Sequence, residues 1–219
     1  MPLTDLETLR DRVEALLTDA SNLEWTTGEL DQALRLALYE LSAVLPVRAA
    51  ATKDAVADAW EYDLSAITGL VNVVEVWYPY LSTSNTYKVA HPVKFRMITD
   101  AILLLECDDD PDAAYDLRIF YDKVQTVAGL DSASSTTVDE AEKAALVLGA
   151  AGYAAIGKGR DLTNEVTIGA GVPVTLEKWG KARLAEFQER IVALASAANA
   201  GDDSRVGWGP VDKWDEGGE

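Results

Sequence analysis

Cysteine and histidine are almost missing from this chain, with one of each, Cys107 and His91, in 219 residues. A single cysteine excludes an internal disulfide and fits a reducing compartment. One cysteine and one histidine also cannot supply a usual zinc-ligand set. Basic residues are scarce, 19 against 37 acidic ones, for a net charge of -18. Neutralising phosphates needs clustered Lys and Arg, so this balance argues against nucleic-acid binding and against anionic membrane surfaces. No run reaches the roughly 18 uncharged apolar residues that would span a bilayer. The nearest, residues 144–157, is too short and too rich in small side chains. The opening Met-Pro-Leu-Thr-Asp-Leu-Glu has no basic stretch leading into an apolar core, so no secretory signal is expected. The composition reads as a soluble cytoplasmic protein.

What the chain does have is core material: 48% of its residues are hydrophobic, enough for one large domain or two small ones. Leu6, Leu9, Val13, Leu16 and Leu17 repeat at helical period from about Asp5, behind a capping-box spacing at Thr4 and Glu7. Thr26 and Glu29 repeat that spacing, with Trp25 and Leu30 placed as a hydrophobic staple. Leu30, Leu34, Ala37, Leu38, Leu41 and Leu45 then form a stripe that ends at Pro46.

The pattern changes near Trp60. Residues 60–64 and 70–80 are rich in β-branched and aromatic side chains, as strands are, and 87–93 suggests another short strand. Residues 101–107 and 115–121 look like two strands joined by Asp108-Asp109-Asp110-Pro111-Asp112, a turn by composition. Leu117, Ile119 and Tyr121 alternate with Asp116, Arg118 and Asp122, so one face should be buried. The stretch 89–105 is ambiguous, and part of it also suits a helix.

After a Ser- and Gly-rich linker at 129–136, a third capping box at Thr137 and Glu140 predicts a helix to about Ile156. Its centre, including Gly149, Ala150, Gly152 and Tyr153, is uncharged on every side, and a helix apolar all round is buried all round. The small residues would let another helix approach closely, from this chain or from a neighbouring copy. Residues 158–174 read as a loop, and 175–198 as a fourth helix carrying Leu176, Trp179, Leu184, Phe187, Ile191 and Leu194. The resulting expectation is an α+β protein: a four-helix core, a small antiparallel β insertion between helices two and three, and an extended C-terminal tail. The segments are a helical pair at 1–58, a β-rich insertion at 59–128, a second helical pair at 129–200 and the tail at 201–219.

Catalytic material is thin, and neither a catalytic residue nor a cofactor is expected. His91 has no identifiable partner. Cys107 borders three aspartates, which would raise a thiol pKa and make it a poor nucleophile. Asp108 to Asp112, with Asp116, offers hard oxygens for calcium or magnesium but lacks the layout of an EF-hand loop, and a solvated hairpin tip is the plainer reading. Gly157-Lys158-Gly159-Arg160 and Gly169-Ala170-Gly171 lack phosphate-loop spacing. They read better as glycines that end the third helix and shape the following loop.

The tail is the exception to this plainness. Arg205, Val206, Trp208, Pro210, Val211 and Trp214 lie in an acidic, glycine-rich segment beyond the last helix. Tryptophan is the side chain most enriched at interface hot spots, and a segment without a core has no use of its own for two. The tail therefore reads as a docking element that orders on a partner. Folding back over its own domain is the alternative.

The layout resembles the head-to-tail adaptor (connector) proteins of tailed bacteriophages. The resemblance runs through residues 6–19 with their Leu16-Leu17-Thr18-Asp19 phrase, Trp25-Thr26-Thr27-Gly28-Glu29-Leu30, and residues 41–46 ending at Pro46. It continues in residues 62–64 and 71–78, 131–137, and the 148–155 helix. It implies a ring of twelve copies docked beneath the portal protein. Genomic DNA would pass through that ring without specific binding, and stopper or tail proteins would attach to it. Such a protein would reside in the virion neck, and in the host cytoplasm during assembly, with no membrane involved. C-terminal segments of such adaptors commonly grip the portal. A tail-side neck protein, such as a stopper or completion protein, is the second reading. A small metal-dependent binding protein or enzyme using Asp108 to Asp116 is the third.

Overall fold

A computed structural model describes residues 5–19, 24–81, 90–107, 110–163 and 171–202. The chain divides into two compact units: Met1–Leu45 with Ala128–Ser134 and Val138–Glu219, and Pro46–Val127 with Ser135–Thr137.

The first unit is helical. It contains α1 (Asp5–Leu17), α2 (Thr27–Val44), α3 (Glu140–Thr163) and α4 (Gly171–Asp202). At α2 the expected capping box is complete. The Thr26 N–H donates to Glu29 Oε2 at 2.6 Å, while Glu29 N–H donates to Thr26 Oγ1 at 3.3 Å. The Thr26 N–H bond to its carboxylate holds Glu29 below the usual carboxylate range. Trp25 and Leu30, the staple pair, are both buried. Thr4 of the first capping box lies outside the described residues.

Two expectations for this unit are corrected. The third helix is capped by Asp139, not Thr137: Asp139 Oδ1 accepts from Glu142 N–H, and Asp139 N–H donates to Glu142 Oε2, each at 2.8 Å. Thr137 is otherwise engaged. Its hydroxyl donates to Gln125 Oε1 at 2.6 Å and accepts from Thr126 N–H at 2.8 Å. The supposed loop after residue 157 is also largely helix, since α3 continues to Thr163 and α4 begins at Gly171. Gly157 and Gly159 therefore sit inside α3. Pro173 fits the first turn of α4, where an N–H has no intrahelical partner in any case.

The second unit overturns the expectation of a small β insertion in a helix-dominated fold. It is a curled, half-barrel antiparallel sheet of six strands. They are β1 (Val47–Asp54), β2 (Glu61–Asp63), β3 (Leu70–Tyr80), β4 (His91–Thr99), β5 (Ile102–Glu106) and β6 (Asp116–Lys123), in spatial order β1-β6-β3-β4-β5-β2. The joined-strand reading of β5 and β6 also fails, because β5 lies between β4 and β2 while β6 lies between β1 and β3. β1 went unread because Val-Arg-Ala-Ala-Ala-Thr-Lys-Asp has weak β propensity. It is held by an eight-residue ladder to β6, from Val47–Lys123 to Asp54–Asp116. In the ambiguous stretch 89–105 the described residues form no helix: they give β4 and β5 about a turn at Asp100–Ala101, paired from Lys94–Glu106 to Thr99–Ile102.

The sheet makes its own core. Tyr62 from the β2 edge joins Val73, Val76, Leu105, Leu117 and Ile119 in one buried cluster, which requires the sheet to curl onto its inner face. The alternation predicted for β6 holds, with Leu117 and Ile119 fully buried and Tyr121 packed against the same cluster.

Removing the α2 cap by Thr26→Ala should lower stability by about 1 kcal/mol. Urea unfolding followed by helical circular dichroism tests this, and an unchanged midpoint would mean the cap is redundant with the Trp25 packing.

Candidate functional site

Of the residues singled out in the sequence, the small-residue segment of α3 is brought into the most consequential geometry. Leu146, Ala150, Ala151 and Ala155 are fully buried. A Cβ on Gly149 would stand 2.9 Å from Phe187 Cδ1 of α4 and 3.0 Å from Ala37 Cβ of α2. On the next turn, a Cβ on Gly152 would meet Leu184 Cγ at 2.9 Å and the Gly180 carbonyl oxygen at 3.0 Å. One on Gly180 would stand 2.7 Å from the Gly152 carbonyl oxygen. The α3 and α4 backbones therefore nearly touch at the Gly152–Gly180 crossing. Of the two approaches left open by the sequence, the one observed is within the chain.

Tyr153 stands at the edge of this seam, and its hydroxyl donates to the Glu40 carboxylate of α2. Burial, reinforced by that hydrogen bond, pushes the phenol well above its ordinary value. Arg10 of α1 pairs in a fork with Asp31 of α2, both bonds at 2.7 Å, and the bond raises the Arg10 pKa. Trp25 ties the α1–α2 connector to α3 by donating its indole N–H to the Ala154 carbonyl at 3.2 Å.

The last residue of the Leu16-Leu17-Thr18-Asp19 phrase, assigned no role from the sequence, anchors the start of α2. Asp19 is buried, and its Oδ2 accepts the backbone N–H groups of Glu24 and Trp25 at 3.0 and 2.9 Å. The phrase Leu16-Leu17-Thr18-Asp19 thus has a structural reason: the leucines close the first helix and the carboxylate fixes where the second begins. An aspartate five and six residues ahead of the N–H groups it accepts was the available signal.

The remaining candidates do not converge. His91 is exposed at the start of β4, and Cys107 is half-buried just after β5. In the acidic loop, Asp108 and Asp109 lie outside the described residues. Asp112 is used structurally: its Oδ1 accepts the Ala114 N–H at 2.9 Å, and its own N–H donates to Tyr78 Oη at 2.7 Å. Among the described residues no cluster of His, Cys, Asp or Glu is arranged to hold a metal ion. No helix among them is long and apolar enough to cross a membrane. Arg205, Val206, Trp208, Pro210, Val211 and Trp214 lie outside the described residues.

The outer face of the sheet carries an aromatic patch that the strand reading did not single out. Trp77 and Phe120 meet edge to face at 5.4 Å, and the Arg118 guanidinium lies 5.7 Å from the Tyr80 ring centre and 5.9 Å from that of Phe120. Arg118 also donates to Thr52 Oγ1 at 2.8 Å, which locks its planar group in place. These residues meet because β1, β6 and β3 are neighbours, a pairing that periodicity alone does not give.

No protein-family model matches this chain, and no curated protein matches it.

Two outcomes test the seam. Gly149→Ala should cost about 1–3 kcal/mol by overpacking. Gly157→Ala, with nothing within 4 Å of its added methyl group, should stabilise by about 0.5–1 kcal/mol by replacing a mid-helix glycine. Equal effects in thermal unfolding would contradict the packing described. For Tyr153 the folded pKa is raised, so its contribution is complete below about pH 10 and is lost as pH rises toward the folded value. The stability gap between the natural chain and Tyr153→Phe should therefore narrow above about pH 10 in urea titrations. A gap independent of pH would remove the Glu40 linkage.

Proposed function

We propose that this chain is a structural head-to-tail adaptor of a tailed bacteriophage. It forms a ring beneath the portal protein, extends the DNA channel and gives the stopper or tail proteins a platform. The observation that carries the reading is the pair Trp208 and Trp214, placed beyond the last helix in an acidic, glycine-rich segment. α4 delivers that segment from the end of the helical unit at Asp202. The order of elements, two capped helices, a β unit and two further helices leading to the tail, supports the same reading.

The energetics suit a ring. Ordering a glycine-rich tail costs free energy, so the two indoles of each copy have to supply most of the affinity, and much of what they supply is spent on that ordering. Each tail then binds weakly, and a closed ring multiplies the weak contacts through high effective concentration. The net charge of -18 suits a passage that DNA crosses without adhering. The role requires no catalytic group and no cofactor.

Electron microscopy of the full chain mixed with its portal ring should show an added ring. Trp208→Ala combined with Trp214→Ala should abolish that ring while leaving the circular dichroism spectrum unchanged. A chain that ignores the portal, or a double variant that still decorates it, would overturn the reading.

A further inference from the structure

The sheet unit ends on one side in a long, regular edge. β1 has β6 as its sole neighbour among the described strands, and their ladder runs from Val47–Lys123 to Asp54–Asp116 without a register shift. An edge row of N–H and C=O groups is a template for another strand, and proteins usually blunt it with a bulge, a proline or a lysine. The centre of β1, Ala49-Ala50-Ala51-Thr52, carries none of these.

One bond tells which backbone groups face outward. The Ala55 N–H donates to the Tyr115 carbonyl at 3.1 Å, one step beyond the Asp54–Asp116 pair. Bonding alternates along an antiparallel ladder, so Ala49, Ala51 and Lys53 bond toward β6, while Ala50, Thr52 and Asp54 turn their backbones to the open edge. Asp54 and Asp116 then face each other at one of the closer, non-hydrogen-bonded positions. Like charges placed directly opposite repel. On the same face of β1, Arg48 is ion-paired with Asp122 of β6 at 3.3 Å.

We infer that β1 pairs antiparallel with β1 of a second copy of this chain, about a twofold axis at Ala51. Parity narrows the registers, because residues whose backbones face outward must meet one another. With the axis at Ala51, Arg48 stands opposite Asp54 of the second copy on both sides of the axis, and Ala50 stands opposite Thr52. Each Arg48 then lies between Asp122 of its own chain and Asp54 of the other, bringing a cation to the repelling Asp54–Asp116 pair. An axis at Ala50 would instead set Asp54 opposite Pro46, with no ion pair and no N–H to donate. The edge is self-complementary in charge at one register, which is what selects a second copy as its occupant. A twofold contact joins copies in pairs and cannot by itself close a larger ring, so the inference does not rest on the adaptor reading.

The test is sedimentation equilibrium of the full-length chain. One strand pair is a small interface, so a monomer–dimer equilibrium is expected at roughly micromolar concentrations or above. Arg48→Asp sets acid against acid in its own dimer, and Asp54→Lys sets base against base. Each should weaken self-association about tenfold or more. Mixed in equal amounts, the two variants should pair with each other about as well as the natural chain pairs with itself, since opposite charges then meet on both sides of the axis. Asp54→Lys also removes the repulsion from Asp116, so its thermal midpoint as a monomer should not fall, which separates lost pairing from lost folding. Ala50→Pro removes an outward N–H, leaves the β6 ladder in place and should abolish the dimer. A chain that stays monomeric throughout, a dimer indifferent to these substitutions, or a mixture no better than either variant alone would overturn the inference. Portal decoration is assayed separately and fails or succeeds independently of these results.

Discussion

The helical unit depends on how closely α3 lets its neighbours approach. Gly149 admits the Phe187 ring and Ala37 together, and Gly152 faces Gly180 with scarcely room for a methyl group. A buried helical glycine costs roughly 0.5–1 kcal/mol of chain entropy relative to alanine. The cost is offset because close backbone approach brings whole rows of side chains into van der Waals contact on both flanks. Everything else in the unit is arranged around that approach. Trp25 donates to an α3 carbonyl, Tyr153 reaches Glu40, and the Arg10–Asp31 fork sets α1 on α2.

The same constraint explains why the unit ends with an unfilled groove. α3 is buried against α2 and α4, but α1 is short, 13 residues against 32 in α4. It cannot run along the whole of α4. Apolar wall is left exposed at Leu176 and Trp179 on one side and Leu148 on the other.

The sheet unit solves burial differently. Its six strands enclose one apolar cluster by curling, so its inner face needs no covering helix. The outer face is left with Trp77, Tyr80, Phe120 and Arg118 held in a fixed patch. Acidic side chains at the rim of this unit are spent on turns: Asp112 closes onto Ala114, and Asp63 onto Ser65. That use of carboxylates accounts for a part of the chain's acidity without any ligand.

Local physics was legible wherever a few neighbouring residues decide the outcome. The Thr26–Glu29 cap, the 3.6-residue stripes of α1 and α2, and the two-residue alternation of β6 are of this kind, because backbone hydrogen bonding and side-chain direction repeat at fixed short periods. The crowded glycines of α3 were visible as composition, but not the partners they admit. What needed the tertiary structure was every decision made between distant residues. Thr137 and Asp139 both carry capping spacing, and the competing bond from Thr137 to Gln125 decides between them. The alanine-rich β1 is a strand paired along its whole length with β6, and β5 and β6 are kept apart by β3 and β4, which lie between them in the sheet. By itself, then, the sequence determined the stripes of α1 and α2, the α2 cap, the acidic balance and the outlying tryptophans, all properties of short stretches. The extent of the sheet, the partners of α3 and the open groove along α4 were decided by long-range packing, whose energy exists only once distant segments meet.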